Sequence, residues 1–218
     1  MILRHLALAL GALGLIASCA SQPPAASVSP ASGAAKPVPT KPVAAAGIAV
    51  DIPNASFEAP PRPGDRCTTG WDCTAHNDPN SFRFFHEEGA AASGARSFCI
   101  EPATGREPWG SFAQGMGLGR DVARLRGMRI RLSTAVKVKS VNGLGAGPYL
   151  VAQGGSGQVL GTSRRLVQGD HGWERIEVEM DVPKATFLLE VGMILLGKGT
   201  ACFDDVRLEA LGPAAGPV

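Results

Sequence analysis

The chain has no excess of charge of either sign, few aromatic residues and no long apolar run, and each shortage narrows what it can be. With 21 basic and 19 acidic residues the net charge is +2, which argues against a nucleic-acid surface, since that requires a basic excess. The apolar run from Leu6 to Ile16 falls well short of the roughly 20 residues of a spanning helix. Helical patterning is confined to residues 119–127, and there is no internal repeat. Catalytic fingerprints are missing too. Gly115-Met116-Gly117-Leu118-Gly119-Arg120 and Gly143-Leu144-Gly145-Ala146-Gly147-Pro148 both lack the final glycine of a dinucleotide loop. Gly154-Gly155-Ser156-Gly157-Gln158 fails the nucleophile-elbow pattern at its last position. All three read as loops or turns. Cys67, Cys73, His76 and His86 have no zinc-site spacing. His171 has no partner nearby in sequence and reads as a solvated loop histidine, and Glu174, Glu177 and Glu179 read as the wet face of a strand. None of these residues makes an enzyme.

What is present is short alternation. Ile176, Val178 and Met180 alternate with Arg175, Glu177, Glu179 and Asp181, which places one strand face on a core and the other in water. Pro183 ends that strand. The run Phe187, Leu188, Leu189, Val191, Met193, Ile194, Leu195 predicts a strand covered on both sides. After Gly197-Lys198-Gly199, alternation predicts Cys202, Asp204, Val206 and Leu208 on one face of a closing strand, with Phe203, Asp205, Arg207 and Glu209 on the other. Upstream, Phe82 with Phe84, Phe98 with Ile100, Met128 with Ile130 and Leu132, and Pro148 with Leu150 and Ala152 mark further strands. Such runs, punctuated by the 28 glycines, indicate an all-β sandwich or barrel.

The N-terminus is targeting sequence. Arg4 and His5 precede the apolar run, and Leu15-Ile16-Ala17-Ser18-Cys19 sets small residues directly before a cysteine, which resembles a bacterial lipoprotein signal. That resemblance implies a signal peptide over 1–18, lipidation of Cys19 and, with Ala20 next, sorting to the outer membrane, anchored on its periplasmic face. Residues 19–46, rich in Ala, Pro and Ser, cannot bury enough surface to order themselves and form a disordered tether. Its ~27 residues reach at most about 80 Å at roughly 3 Å each. The folded domain is expected over 47–211, with a flexible tail over 212–218.

In an oxidising compartment Cys67, Cys73, Cys99 and Cys202 form disulfides. Three pairings exist. Cys67 with Cys73 would close a small loop and leave Cys99 with Cys202. Simple alternation, however, sets Cys202 with Val206 and Leu208, and sets Cys99 opposite Phe98 and Ile100, so either the strand is bulged or the pairing differs.

Asn54-Ala55-Ser56-Phe57-Glu58, Gly70-Trp71, Ser93-Gly94-Ala95-Arg96-Ser97-Phe98, Gly127-Met128-Arg129-Ile130-Arg131-Leu132, Gly172-Trp173 and Phe203-Asp204-Asp205-Val206-Arg207-Leu208 together resemble the strand order of galactose-binding-like jelly rolls, a superfamily that includes many carbohydrate-binding modules. The resemblance implies a jelly-roll β-sandwich. It further implies a structural calcium where first and last strands meet, held by Glu58, Asp204 or Asp205 and the carbonyl of Ser56. It also implies sugar binding by an exposed aromatic flanked by planar polar groups. The candidates are Tyr149 and Gln153, with Arg129 and Arg131 on the same face, and Trp109 and Trp71, although tryptophans at such positions usually pack on the sandwich. Aromatics at 6% of the chain leave a broad polysaccharide platform unsupported. The expected function is a lipid-anchored, non-catalytic module binding glycan. An envelope protein as partner and a small hydrolase are the alternatives.

Overall fold

The computed structural model describes residues 47–59, 61–117 and 122–216; the expected signal peptide, the expected lipidation site Cys19 and the expected tether lie outside them. Ten strands follow in order: β1 (Ile48–Val50), β2 (Asp72–Ala75), β3 (Phe82–Glu88), β4 (Arg96–Pro102), β5 (Trp109–Met116), β6 (Met128–Gln153), β7 (Val159–Arg164), β8 (Val167–Asp181), β9 (Leu188–Leu196) and β10 (Thr200–Pro213). One helical turn, α1 (Val122–Leu125), precedes β6. All pairings are antiparallel.

The 26-residue β6 joins two sheets. Its first half lies between β10 and β8, and β4 and β3 continue beyond β10. Its second half lies between β9 and β7, and β5 and β2 continue beyond β9. We call these sheets I and II. Between them β6 bends, with register shifts at Val138, Val141 and Ala146. The glycines expected to form a loop at 143–147 are this bend. A Cβ on Gly145 would stand 2.6 Å from the Val167 carbonyl oxygen, and one on Gly147 would stand 2.0 Å from that of Arg165. Only glycine lets neighbouring backbone come so close.

The core lies between the sheets. Sheet I contributes Phe98, Ile100, Ile130, Leu132, Ile176, Val178, Phe203 and Leu208, and sheet II contributes Phe112, Leu150, Leu189, Val191, Met193 and Leu195. Phe57, on the turn after β1, and Phe98, Phe112 and Phe203 are fully buried, and ring centroids 4.9 to 5.9 Å apart link them with Trp71. Edge, tilted and stacked contacts of this kind add to the area each ring buries. β1 pairs with β10, so the two ends of the domain are adjacent, and β10 runs two residues past the expected boundary at 211.

β10 departs from simple alternation. Asp204 opposes Ala135 while Arg207 opposes Ser133, so three steps on β10 match two on β6. Asp205, in left-handed conformation (φ 48°), carries the extra residue. Phe203 therefore faces the core along with Val206 and Leu208, and the expected sharing of a face by Phe203 and Arg207 is corrected. The bulge also turns Cys202 outward, directly across from Cys99 with Cα atoms 4.0 Å apart, and the two form a disulfide; Cys67 and Cys73 form the other.

Candidate functional site

The outer face of sheet II is a cleft of about 570 Å³. Alternation along each strand sends Phe112, Leu150, Leu189, Val191 and Met193 inward and leaves their neighbours to line it. Cross-strand register sets out its floor. Asp72, Ala113, Gly192, Tyr149 and Arg164 form one row across β2, β5, β9, β6 and β7. Thr74, Ser111 and Ile194 form the row beside it, and Gly115, Glu190, Val151 and Thr162 the row on the other side.

Tyr149 lies flat on this floor. A Cβ on Gly192 would meet Cε1, Cζ and the hydroxyl of the ring at 2.5 to 2.7 Å, so the absent side chain is the space the ring fills. The hydroxyl donates to Glu190 Oε1 at 2.5 Å and is also bonded to the Ser111 side chain. Burial, then the negative charge of Glu190, push the phenol well above its ordinary range. Tyr149 is therefore neutral, fixed, and presents one ring face to the cleft. Trp109, half-buried at the start of β5, lines the cleft with its ring packed roughly perpendicular to that of His76, centroids 5.8 Å apart, and His76 is in turn held by Glu107 at 2.9 Å. Two fixed aromatic surfaces beside Glu190, Ser111 and Asp72 suit a ligand that offers both C–H faces and hydroxyl groups.

Of the residues expected to bind ligand, Tyr149 and Trp109 line the cleft. Gln153 ends the same strand, next to Leu188 and Val159, beyond the lining. Trp71 is buried, with its indole N–H donated to the Asn54 carbonyl, and packs on Phe57 and Phe112. Arg129 and Arg131 belong to the other half of β6, on sheet I, where they pair with Asp181 and Glu179. A single strand serving both sheets separates them from Tyr149. Sequence reasoning missed Ser111, Glu190, Asp72 and Arg164. The available signal was Glu190 and Gly192 at alternate positions inside an otherwise apolar strand. His171, read as partnerless, is held by Glu174 at 2.6 Å and the Gln168 carbonyl at 2.8 Å.

The residues implied for calcium do not fit the ion. Glu58 Oε1 accepts the backbone N–H groups of Ala95 and Arg96 at 2.9 and 3.1 Å. Buried Asp204 accepts those of Ser93 at 2.7 Å and Asp205 at 2.6 Å, and burial raises its carboxyl against the pull of those bonds. Asp205 is paired with Arg175 and Arg207, and Ser56 is exposed. The carboxylates thus face N–H donors and guanidinium groups. Together Glu58 and Asp204 hold the turn between β3 and β4, with Gly94 set against the Glu58 carboxylate. A saturated calcium site would add about 2.7 kcal/mol at a hundredfold excess over its Kd. Exchanging calcium for a chelator is expected to move Tm by less than about 1 °C; a rise of roughly 5 °C with calcium would reinstate the ion.

No protein-family model matches the chain, and no curated protein matches it in sequence. Solved structures do match in fold. The tandem CBM22-1–CBM22-2 domain of Paenibacillus barcinonensis Xyn10C superposes with a TM-score of 0.53 at 16% identity, covering 81% of this chain and 49% of that one. Its CBM22-1 xylan-binding domain alone gives 0.50 at 17% identity, covering 78% and 98%. The enzymatically active domain of tailspike protein 4 of bacteriophage CBA120 gives 0.51 at 11% identity, covering 74% of this chain and only 21% of that one. The domain has the jelly-roll β-sandwich fold of carbohydrate-binding modules.

Proposed function

We propose that the protein is a non-catalytic glycan-binding module of the bacterial envelope, carried on the periplasmic face of the outer membrane by lipidated Cys19 and the tether of residues 19–46. The cleft carries the reading. Tyr149, fixed between Gly192 and Glu190, and Trp109, braced by His76, offer flat apolar faces of the kind on which pyranose rings stack, and carboxylate and hydroxyl groups stand within the same lining. The fold shared with a domain described as xylan-binding supports the same reading. The leader residues 1–18 and the small residues before Cys19 support the anchor. A non-catalytic role fits a cleft in which Glu190 is already engaged by a neutral phenol instead of being left to act on a substrate bond.

The test is titration of the full chain with a panel of xylo-oligosaccharides, β-glucan oligomers and peptidoglycan glycan fragments, followed by calorimetry and by NMR. At least one member is expected to bind, and Trp109→Ala is expected to weaken it by roughly tenfold, since one stacked ring is lost. Because Trp109 stands at the rim, the variant should unfold within about 1 kcal/mol of the parent. A panel that leaves both Tm and NMR spectrum unmoved would remove the proposal.

A further inference from the structure

The charges along the cleft show which sugars it suits. Strand arginines in this domain are matched with carboxylates: Arg83 with Glu101, Arg96 with Glu88, Arg129 with Asp181, Arg131 with Glu179, and Arg175 and Arg207 with Asp205. Arg164 of β7 is the exception. It is exposed, it lines the cleft, and it has no carboxylate partner among the described residues. At the opposite end of the same row, Asp72 of β2 is likewise exposed and without a cationic partner among the described residues. Four inter-strand steps of about 4.8 Å put these two backbone positions roughly 19 Å apart. Between them the row holds only Ala113, Gly192 and the flat ring of Tyr149, so nothing tall interrupts the path. The cleft is thus a groove running across the strands, with a free anion at the β2 end and a free guanidinium at the β7 end.

Building on the glycan-binding reading above, we infer that the groove takes an oligosaccharide bearing a single uronate residue, in one direction, with the sugar carboxylate on Arg164. A guanidinium presents a planar fork of N–H donors that matches a carboxylate in two parallel bonds, which a neutral hydroxyl pair does not reproduce. At the other end Asp72 accepts hydrogen bonds from ring hydroxyls and repels a second carboxylate, as does Glu190 near the centre. A chain acidic at every residue is therefore disfavoured, and a sparsely substituted one is preferred.

The experiment is calorimetric titration of the full chain with glucuronoxylan oligomers carrying one uronate, each compared with its carboxyl-reduced neutral form, and with oligogalacturonate, which is acidic throughout. The uronate form is expected to bind roughly three- to tenfold more tightly than its reduced form, a modest gain because Arg164 is exposed. Arg164→Gln should abolish that difference, whatever the affinity left for the reduced form. Asp72→Asn should weaken both forms alike and narrow the disadvantage of oligogalacturonate. Equal binding of uronate and reduced forms by the parent chain overturns the inference and leaves glycan binding standing. A preference that survives Arg164→Gln overturns it as well. Failure to bind any panel member removes the glycan-binding reading and this inference with it.

Discussion

Replacing Phe112 with alanine is expected to cost about 3–5 kcal/mol of folding free energy, the largest loss of any single substitution considered for this domain. Phe112 is fully buried on the inner face of β5, and its ring contacts Phe57, Trp71, Phe98 and Phe203 at centroid distances of 5.5, 5.3, 4.9 and 5.6 Å. Phe98 and Phe203 belong to sheet I, so this ring joins the two sheets as well as filling space between them. Its removal leaves a cavity walled by rigid rings that cannot collapse as flexible aliphatic chains do. Domains are commonly stable by 5–15 kcal/mol, so the variant would sit near the threshold, and Tm should fall by roughly 10 °C or more. Chemical denaturation with both disulfides intact measures the effect. A loss under about 1.5 kcal/mol would mean that the cluster repacks and that the two sheets do not depend on this contact.

Residues 111 and 113, the immediate neighbours of Phe112, line the cleft, so the core and the site are two faces of one strand. That coupling also accounts for what was readable in the sequence. Alternation is a property of each strand taken alone, and it correctly placed Leu150 inward and Tyr149 outward. It failed where the strand itself changes. Nothing local distinguishes Asp205 as a bulge, because the bulge comes from pairing with β6, and the orientation of Phe203 and Cys202 depends on it. Likewise Arg129 and Tyr149 occupy one strand with similar patterning, and only the bend at 138–146 sends them to different sheets. Trp71 was ambiguous because a tryptophan before a strand can face either way. The Asn54 turn, which binds Thr68, Thr69 and the Trp71 indole, decides that it faces inward.

The apolar run of β9 predicts a strand covered on both sides, whereas Leu188, Glu190 and Ile194 line the cleft. Gly192 stands among them as the point where a side chain is missing, and this leads to the second large effect. Gly192→Ala is expected to leave the domain folded at a cost of roughly 1–3 kcal/mol, because the nearest atoms the added methyl meets are the far end of the Tyr149 side chain, which can swing into solvent with the loss of its hydrogen bond to a carboxylate. The site should nevertheless fail. Once displaced, the ring loses its bond to Glu190, its fixed angle and one of the two stacking surfaces, so glycan affinity should drop by at least tenfold. A second readout needs no ligand. Tyr149 is the single tyrosine of the chain, so its ionisation can be followed alone by ultraviolet absorbance. In the parent, burial and the Glu190 charge hold the phenol above its ordinary range, and it should remain neutral as pH rises until the domain unfolds. In the variant the ring is solvated and should ionise near 10, the ordinary value. If the variant binds and titrates like the parent, then Tyr149 does not rest on Gly192, and the cleft owes its shape to something other than this missing side chain.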